Sequence, residues 1–228
     1  AGNCKIQNTN GNPDTVKNSE NIFWKIISAL FNPIAAPLWA VVLYYVSAQR
    51  PFTLIEAVYT AGVVAMATIA IPVPVMLVLK GAGKIESLGL RNAYERRLPL
   101  LMICILLMAA LRFYLIGRVS PEVTLCLAAA TASLFITYIS LYWDKISLHA
   151  MGISGLVCFM FMLMYKWGWP LSAALPVAAG MLAVYDIVVM ARMELGRHNW
   201  RQIILGTIVG GVPQVLAFAL LYQGGGRF

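Results

Sequence analysis

Long runs of apolar residues recur along nearly the whole chain, and they constrain the fold more than any other feature. A helix needs about 20 predominantly apolar residues to cross the hydrocarbon core of a bilayer. Hydrophobic residues make up 61% of the 228-residue sequence and charged residues 11%. A soluble domain has about 25% charged residues. The sequence therefore predicts an all-α, polytopic transmembrane helical bundle.

Prolines and polar residues divide the apolar runs into spans. We expect about six to seven spans, which form one transmembrane domain over residues 23–228 after a polar tail over residues 1–22. Pro33 and Pro37 interrupt the first span, and Pro72 and Pro74 are placed to kink the second. The predicted spans are residues 23–46, 53–80, 98–117, 123–143, 146–165, 169–192 and 203–222.

Charged and metal-binding residues are few, and their distribution excludes several classes of function. The net charge is +8, but the basic residues lie in short loops, whereas a nucleic-acid-binding protein needs a solvated basic face. No pair of the four cysteines has metal-ligand spacing, and no cluster of carboxylates accompanies the two histidines. We therefore predict no metal and no other cofactor. Lipid headgroups and anionic substrates are the expected partners of these basic residues, while a protein partner and the oligomeric state stay open.

Three polar stretches interrupt the apolar sequence, near residues 84, 147 and 198. They follow the second, fourth and sixth predicted spans. Loops after even-numbered spans lie on the same side of a membrane. We therefore expect the three stretches to meet at one face of the bundle and to form one site.

Glycine and asparagine mark helix ends and close helix contacts around the third stretch. Gly196 is placed to end the sixth span, because glycine tolerates the left-handed conformation at a helix C-terminus. Asn199 then caps the seventh span, and His198 lies just outside that helix N-terminus, where a bound anion is favoured. Gly206 and Gly210 form a G-x-x-x-G pair, which predicts close helix packing.

The three stretches also carry residues whose spacings resemble those of a known family. The type 2 phosphatidic acid phosphatase (PAP2) superfamily of membrane phosphatases carries K-x6-R-P, then P-S-G-H, then S-R-x5-H-x3-D. In the same order and at the same spacings, this chain has Lys84-x6-Arg91-Asn92, Ser147-Leu148-His149 and Arg192-x5-His198-x3-Gln202. The resemblance covers residues 80–206 and implies a PAP2-like core.

The resemblance implies a role for each matched residue. His198 would attack phosphorus and form a phosphohistidine, and His149 would protonate the leaving oxygen as general acid. The phosphate would be held, and its charge stabilised, by Lys84, Arg91, Ser147 and Arg192. The implied activity is hydrolysis of a lipid phosphate or lipid diphosphate by an integral, multi-pass protein, which we expect in the bacterial inner membrane. The sequence leaves open which face the site opens on.

Gln202 stands where the third motif of the superfamily has an aspartate that orients the nucleophilic histidine. Glutamine can accept a hydrogen bond and fix a tautomer, but it carries no negative charge. Asn199-x-x-Gln202 also resembles a capping box, in which the glutamine would satisfy the helix N-terminus instead. Both roles stay open, and Asp186, within the sixth span, is a candidate for the missing acid.

Two other functions are compatible with the same residues. A relative weakened by Gln202 would bind a phospholipid or a protein partner without efficient hydrolysis. A small transporter would use Asp186 and the proline-broken second span as its pathway. The charges over residues 95–97, which the motifs do not include, are interpreted as a solvated, salt-bridged turn.

Overall fold

Helices account for the regular structure of the chain. The structure, a computed structural model, describes the backbone of residues 13–84 and 93–223, and the side chains of residues 22–84 and 94–220. Within these ranges there is no β-strand, and seven helical segments are long and apolar enough to cross a membrane. The predicted all-α, polytopic bundle is therefore confirmed, and the chain is an integral, multi-pass membrane protein.

The spans are built from nine α-helices in the described part of the chain. These are α1 (Pro13–Leu30), α2 (Ala36–Ser47), α3 (Leu54–Ala65), α4 (Pro72–Gly81), α5 (Ala93–Ala110), α6 (Pro121–Ser140), α7 (Leu148–Lys166), α8 (Leu171–Glu194) and α9 (Trp200–Gln223). The first span combines the end of α1 with α2, and the second combines α3 with α4. Each of α5 to α9 provides one further span.

A tight turn breaks the first span at the predicted proline. The side chain of Asn32 accepts a hydrogen bond from the amide of Ile34 at 3.1 Å and caps the 3-10 turn Pro33–Ala35. α1 begins at Pro13, so residues 13–22 of the predicted polar tail are helical, while residues 1–12 lie outside the described part of the chain. The helix extends this far because proline is tolerated in a first turn and neither glycine nor another proline follows before Leu30.

Wide turns of the π-helix type interrupt the second and third spans. In the second span the amide of Ile71 donates to the carbonyl of Met66 at 3.1 Å, one residue further back than in an α-helix. Pro72 follows and starts α4, because its ring has no N–H to continue the preceding helix. The third span ends in a similar turn over Leu111–Leu115.

α7 is the central helix of the bundle and the most completely buried span. It packs against α9, α8, α2 and α6. Its contact with α9 is close because two glycines bring the α9 backbone onto α7. A methyl group on Gly206 would lie 2.6 Å from the carbonyl oxygen of Ser147, and one on Gly210 would lie 2.1 Å from that of Met151. The close packing predicted from the G-x-x-x-G pair is confirmed.

A polar cluster ties the helices together at the face where α6 begins. Lys166, at the end of α7, forms an ion pair with Glu122 in the first turn of α6. Arg50 forms an ion pair with Glu56 and donates its Nε to the hydroxyl of Tyr44 at 2.7 Å. The hydroxyl of Tyr44 in turn donates to Glu122 at 3.4 Å, so these contacts join α2, α3, α6 and α7 at one membrane face. The three polar stretches follow the opposite ends of the spans.

We expect Gly210→Ala to destabilise the protein by about 1–3 kcal/mol, because the added methyl group must push α9 away from the α7 backbone. The matched control is Gly180→Ala on α8, where the same methyl group meets nothing within 4 Å. Thermal unfolding in detergent measures both variants. Equal unfolding midpoints would contradict the packing described here.

Candidate functional site

A backbone hydrogen bond joins the two loops that carry the second and third polar stretches. The amide of Ser147 donates to the carbonyl of Gln202 at 3.1 Å, which holds the loop before α7 against the first turn of α9. Ser147 is completely buried, and its hydroxyl caps α7 by accepting from the amide of Ala150 at 3.4 Å. Ser147 therefore fixes the first turn of α7, which carries His149.

The turn between α8 and α9 has the helix ends predicted from the sequence. Gly196, at φ +60°, follows the end of α8 in the left-handed conformation. The side chain of Asn199 accepts a hydrogen bond from the amide of Gln202 at 3.0 Å, which caps α9. Both predicted caps are confirmed, and His198 is held in the short turn between them.

A chain of hydrogen bonds links His198 to a carboxylate that the motifs do not include. Gln202 donates from Nε2 to Asp144 Oδ1 at 3.1 Å, and its Oε1 lies 2.9 Å from His198 Nδ1. A carboxylate only accepts, so the amide NH2 group must face Asp144 and the amide oxygen must face the imidazole. His198 Nδ1 is therefore the protonated ring nitrogen, and Nε2 keeps its lone pair.

These contacts distinguish the two roles considered for Gln202. Its side chain orients His198, while the side chain of Asn199 caps the helix. Asp144 supplies the negative charge that glutamine lacks, through the amide rather than directly. Sequence reasoning missed Asp144 because it lies 58 residues before Gln202. The one sequence feature that could have indicated Asp144 is its position in the short polar segment Asp144-Lys145, directly before the second polar stretch.

Ser28, near the end of α1, joins His149 to Arg192. Arg192 donates from Nη1 to the Ser28 hydroxyl at 2.7 Å. His149 Nε2 lies 3.0 Å from the Ser28 carbonyl oxygen and 3.2 Å from its hydroxyl. A carbonyl oxygen only accepts, so Nε2 carries the proton in His149. The two histidines therefore use opposite ring nitrogens as donors, Nδ1 in His198 and Nε2 in His149.

A polar chamber opens beside His149, with about 1170 Å³ of space including its open mouth. No carboxylate is among the described residues that line it. Arg192, one of its lining residues, is buried, and its Nε has no hydrogen-bond partner in the described part of the chain. The cationic residues that line the chamber are Lys25, Arg96, Lys145, Arg192 and Arg197.

An apolar groove of about 660 Å³ adjoins the chamber. Met76 of α4 and Leu100 and Ile103 of α5 form part of its apolar wall, and His198 also lines it. The chamber and the groove share four lining residues, which are Asn32, Arg96, His149 and Arg192. The joined space is therefore cationic in one part and apolar in the other, which matches the polarity of an anionic amphiphile.

Burial and neighbouring cations lower the pKa of His198 to about 4, from its usual value near 6.5. Desolvation of the ring is the largest cause, and the charges of Arg192, Arg96 and Lys145 add to it. The hydrogen bond to Gln202 opposes the shift. His198 is therefore neutral at pH 7, and its Nε2 lone pair is available to attack an electrophile.

Three residues predicted for the site, Lys84, Ser147 and Asp186, line neither the chamber nor the groove. Ser147 is fully buried and its hydroxyl caps α7, so it is not placed to bind phosphate. Lys84 is exposed beyond α4 and lines neither the chamber nor the groove, and Arg91 lies outside the described residues. Asp186 is exposed on α8 and lines neither cavity, so its position does not support the pathway considered for a transporter. The acid linked to His198 is Asp144.

Most of the cations in the chamber were not assigned to the site from the sequence. The interpretation of residues 95–97 as a solvated turn is wrong for Arg96, which is only 7% exposed and lines both cavities. Arg96 lies within α5, which begins at Ala93, and the helix holds this side chain toward the bundle. Three further unassigned cations line the chamber, and nothing in the motifs indicates them. These are Lys25, Lys145 and Arg197.

The site contains two imidazoles, several cations, one bridging amide and one carboxylate.

No family model, no curated protein and no solved structure matches the chain, so the chemistry of the site is inferred from its own side chains. Among the described residues, no group of three or more His, Cys, Asp or Glu side chains is placed to hold a metal ion. A neutral imidazole in a cation-lined site is suited to bind an anion and to attack it.

We expect Asp144→Leu to release His198 from its fixed tautomer, because the Gln202 amide is then free to rotate and present its NH2 group to the ring. The chain has two histidines, so labelling histidine with 15N resolves both rings by NMR. His198 should be protonated at Nδ1 in the unmodified protein and should populate both tautomers in the variant. Asp186→Leu, which removes an exposed carboxylate, is the matched control. An unchanged His198 tautomer in Asp144→Leu would refute the role of the carboxylate.

We expect the His198 ring to titrate near pH 4 in the folded protein, and Arg192→Met to raise this pKa toward 6.5 by removing a nearby cation. The unfolded chain binds a proton at His198 below about pH 6.5, whereas the folded chain does so only near pH 4. The contribution of His198 to stability is therefore complete above pH 6.5 and is lost as the pH falls toward 4. NMR titration follows the ring, and thermal unfolding against pH follows the stability. A midpoint of 6.5 in the unmodified protein would contradict the burial of the ring.

Proposed function

We propose that the protein is an integral membrane phosphatase that hydrolyses a lipid phosphate or lipid diphosphate through a phosphohistidine on His198. One observation carries the proposal: a cation-lined chamber and an apolar groove share His149 and Arg192, and His198 lines the groove as well. A phosphorylated headgroup suits the chamber and a hydrocarbon chain suits the groove, so the phosphorus would lie where the two cavities meet. The resemblance of the three polar stretches to the type 2 phosphatidic acid phosphatase superfamily supports the same activity.

In the first step, the His198 Nε2 lone pair attacks phosphorus, and the bond between phosphorus and the leaving oxygen breaks. His149 takes up one proton from solvent when the phosphate binds and donates its Nε2 proton to that oxygen. The lipid leaves as an alcohol, or as a monophosphate if the substrate is a diphosphate. The Arg192 guanidinium stabilises the charge on the phosphoryl oxygens.

In the second step, water attacks the phosphohistidine. His149 is now neutral and accepts a proton from the water. The bond between phosphorus and His198 Nε2 breaks, inorganic phosphate is released, and both rings return to their starting states. The net reaction consumes one water for each phosphate released.

Positive charge develops on His198 when its Nε2 bonds to phosphorus. The Gln202 oxygen accepts a hydrogen bond from Nδ1, and Asp144 polarises the same amide by accepting from its NH2 group. The amide thereby passes part of the field of the carboxylate to the ring. This connection supports turnover without an aspartate at position 202, so we favour hydrolysis over binding alone.

Substrate must displace Ser28 from the two groups that it contacts. Its hydroxyl accepts from Arg192, and its carbonyl and hydroxyl oxygens lie against His149 Nε2. These donors are the ones that a phosphate ester needs. Phosphate oxygens replace the Ser28 oxygens as acceptors, so neither donor loses a partner when the substrate enters.

We expect the purified protein in detergent to release inorganic phosphate from a lipid phosphate. His198→Ala should lower kcat by at least about a thousandfold, because it removes the nucleophile. His149→Ala should lower kcat by about 10²–10⁴-fold, because it removes the general acid. Arg201→Gln, which removes an exposed cation from the first turn of α9, is the matched control and should retain activity. Full activity in His198→Ala would exclude this mechanism.

A covalent intermediate separates hydrolysis from simple binding. Rapid quenching during turnover, followed by mass spectrometry at alkaline pH, should find phosphate on His198 and none in His198→Ala. Thermal stabilisation by lipid phosphate without release of phosphate would instead indicate a protein that only binds the lipid.

A further inference from the structure

The polar chamber carries more positive charge than one phosphate monoester balances. Lys25, Lys145, Arg192 and Arg197 line it, together with Arg96. The first four form no ion pair with a carboxylate in the described part of the chain. A phosphate monoester carries about −1.5 to −2 charges at pH 7. With one bound, about two of these four positive charges would remain unbalanced.

The cations of the chamber are close enough to affect the groups around them. Lys145 and Arg192 both help to lower the pKa of His198. Arg192 is only 9% exposed, and its Nε has no hydrogen-bond partner among the described residues. A buried donor without a partner is costly, and the like charges of Arg197 and Arg96 also act unfavourably on Arg192. A further anionic group in the chamber reduces both costs.

The surplus charge comes from outside the three motifs. Of the cationic residues that line the chamber, Arg192 alone belongs to a motif. Lys25 lies on α1, Lys145 lies in the loop before α7, and Arg197 lies in the turn after α8. The motif residues that line the two cavities are His149, Arg192 and His198, and three other segments add cations to the chamber. A ligand with a second anionic group would contact more of these cations than a phosphate monoester does.

We propose that the headgroup of the substrate carries two phosphate groups, and that Lys25, Lys145 and Arg197 bind the phosphate that is not attacked. This inference rests on the proposed function and narrows its substrate class. The terminal phosphate is transferred to His198, and the leaving group is a lipid that keeps the other phosphate. Two headgroups share this chemistry: a diphosphate, and two phosphates bridged by glycerol.

Three lipids with the same acyl chains test the inference directly. Phosphatidate has one phosphate group. Diacylglycerol diphosphate has two phosphate groups bonded directly to each other, and phosphatidylglycerol phosphate has two phosphate groups bridged by glycerol. We expect kcat/KM for at least one of the two-phosphate lipids to exceed that for phosphatidate at least tenfold. The larger of the two values identifies the headgroup. Turnover of phosphatidate as fast as the better of the other two would overturn the inference.

Substitutions in the chamber test whether its cations cause the preference. Lys25→Gln and Arg197→Gln should each lower the ratio of kcat/KM between the preferred lipid and phosphatidate, toward one. The ratio is the informative measurement, because general damage to the site lowers both rates together. Arg201→Gln, an exposed cation that does not line the chamber, should leave the ratio unchanged. An unchanged ratio in both chamber variants would also overturn the inference.

The two proposals fail in different ways. If no lipid releases phosphate, the proposed function fails, and the headgroup is then tested by binding. Inorganic diphosphate should raise the thermal unfolding midpoint of His198→Ala more than inorganic phosphate at the same concentration. Adding Lys25→Gln to that protein should remove the difference. Equal shifts with the two anions would overturn the inference without any measurement of turnover.

Discussion

The close contact between α7 and α9 is the constraint on which the site depends. Glycine at positions 206 and 210 lets the two backbones touch, which allows the Ser147 amide to reach the carbonyl of Gln202. That bond holds the start of α7, with His149, against the turn that carries His198. Larger residues at the glycine positions would separate the two histidines without altering either. The distance between the two histidines is therefore set by the packing of α7 against α9 and not by the loops alone.

Much of the fold was predictable from the sequence because its determinants are local. Apolar runs of spanning length, the glycine after α8 and the asparagine before α9 each act within a few residues of where they lie. Loop parity also predicts that His149 and His198 lie at the same membrane face. The partners of these rings were not predictable in the same way. Ser28 lies 121 residues before His149, and no spacing rule indicates that α1 returns to contact it.

The charges of the site are arranged differently from what the motifs imply. The carboxylate acts through an amide, because Gln202 stands between Asp144 and His198. The cations come mainly from residues outside the motifs, while Lys84 is exposed away from both cavities. The same burial that keeps His198 neutral also leaves the surrounding cations poorly solvated. Under the proposed function, burial would therefore account both for a neutral nucleophile and for a site that favours anions.

α1 faces the site on one side and lipid on the other. Its inner side supplies the Ser28 oxygens that rest on Arg192 and His149, and its outer side exposes Ile22, Phe23, Ile26 and Leu30. Moving Ser28 aside therefore means shifting the start of the first membrane span, whose outer side is apolar and exposed. Under the proposed function, a substrate that displaces Ser28 would have to move this apolar surface within the bilayer, so bilayer composition would affect access to the two imidazoles.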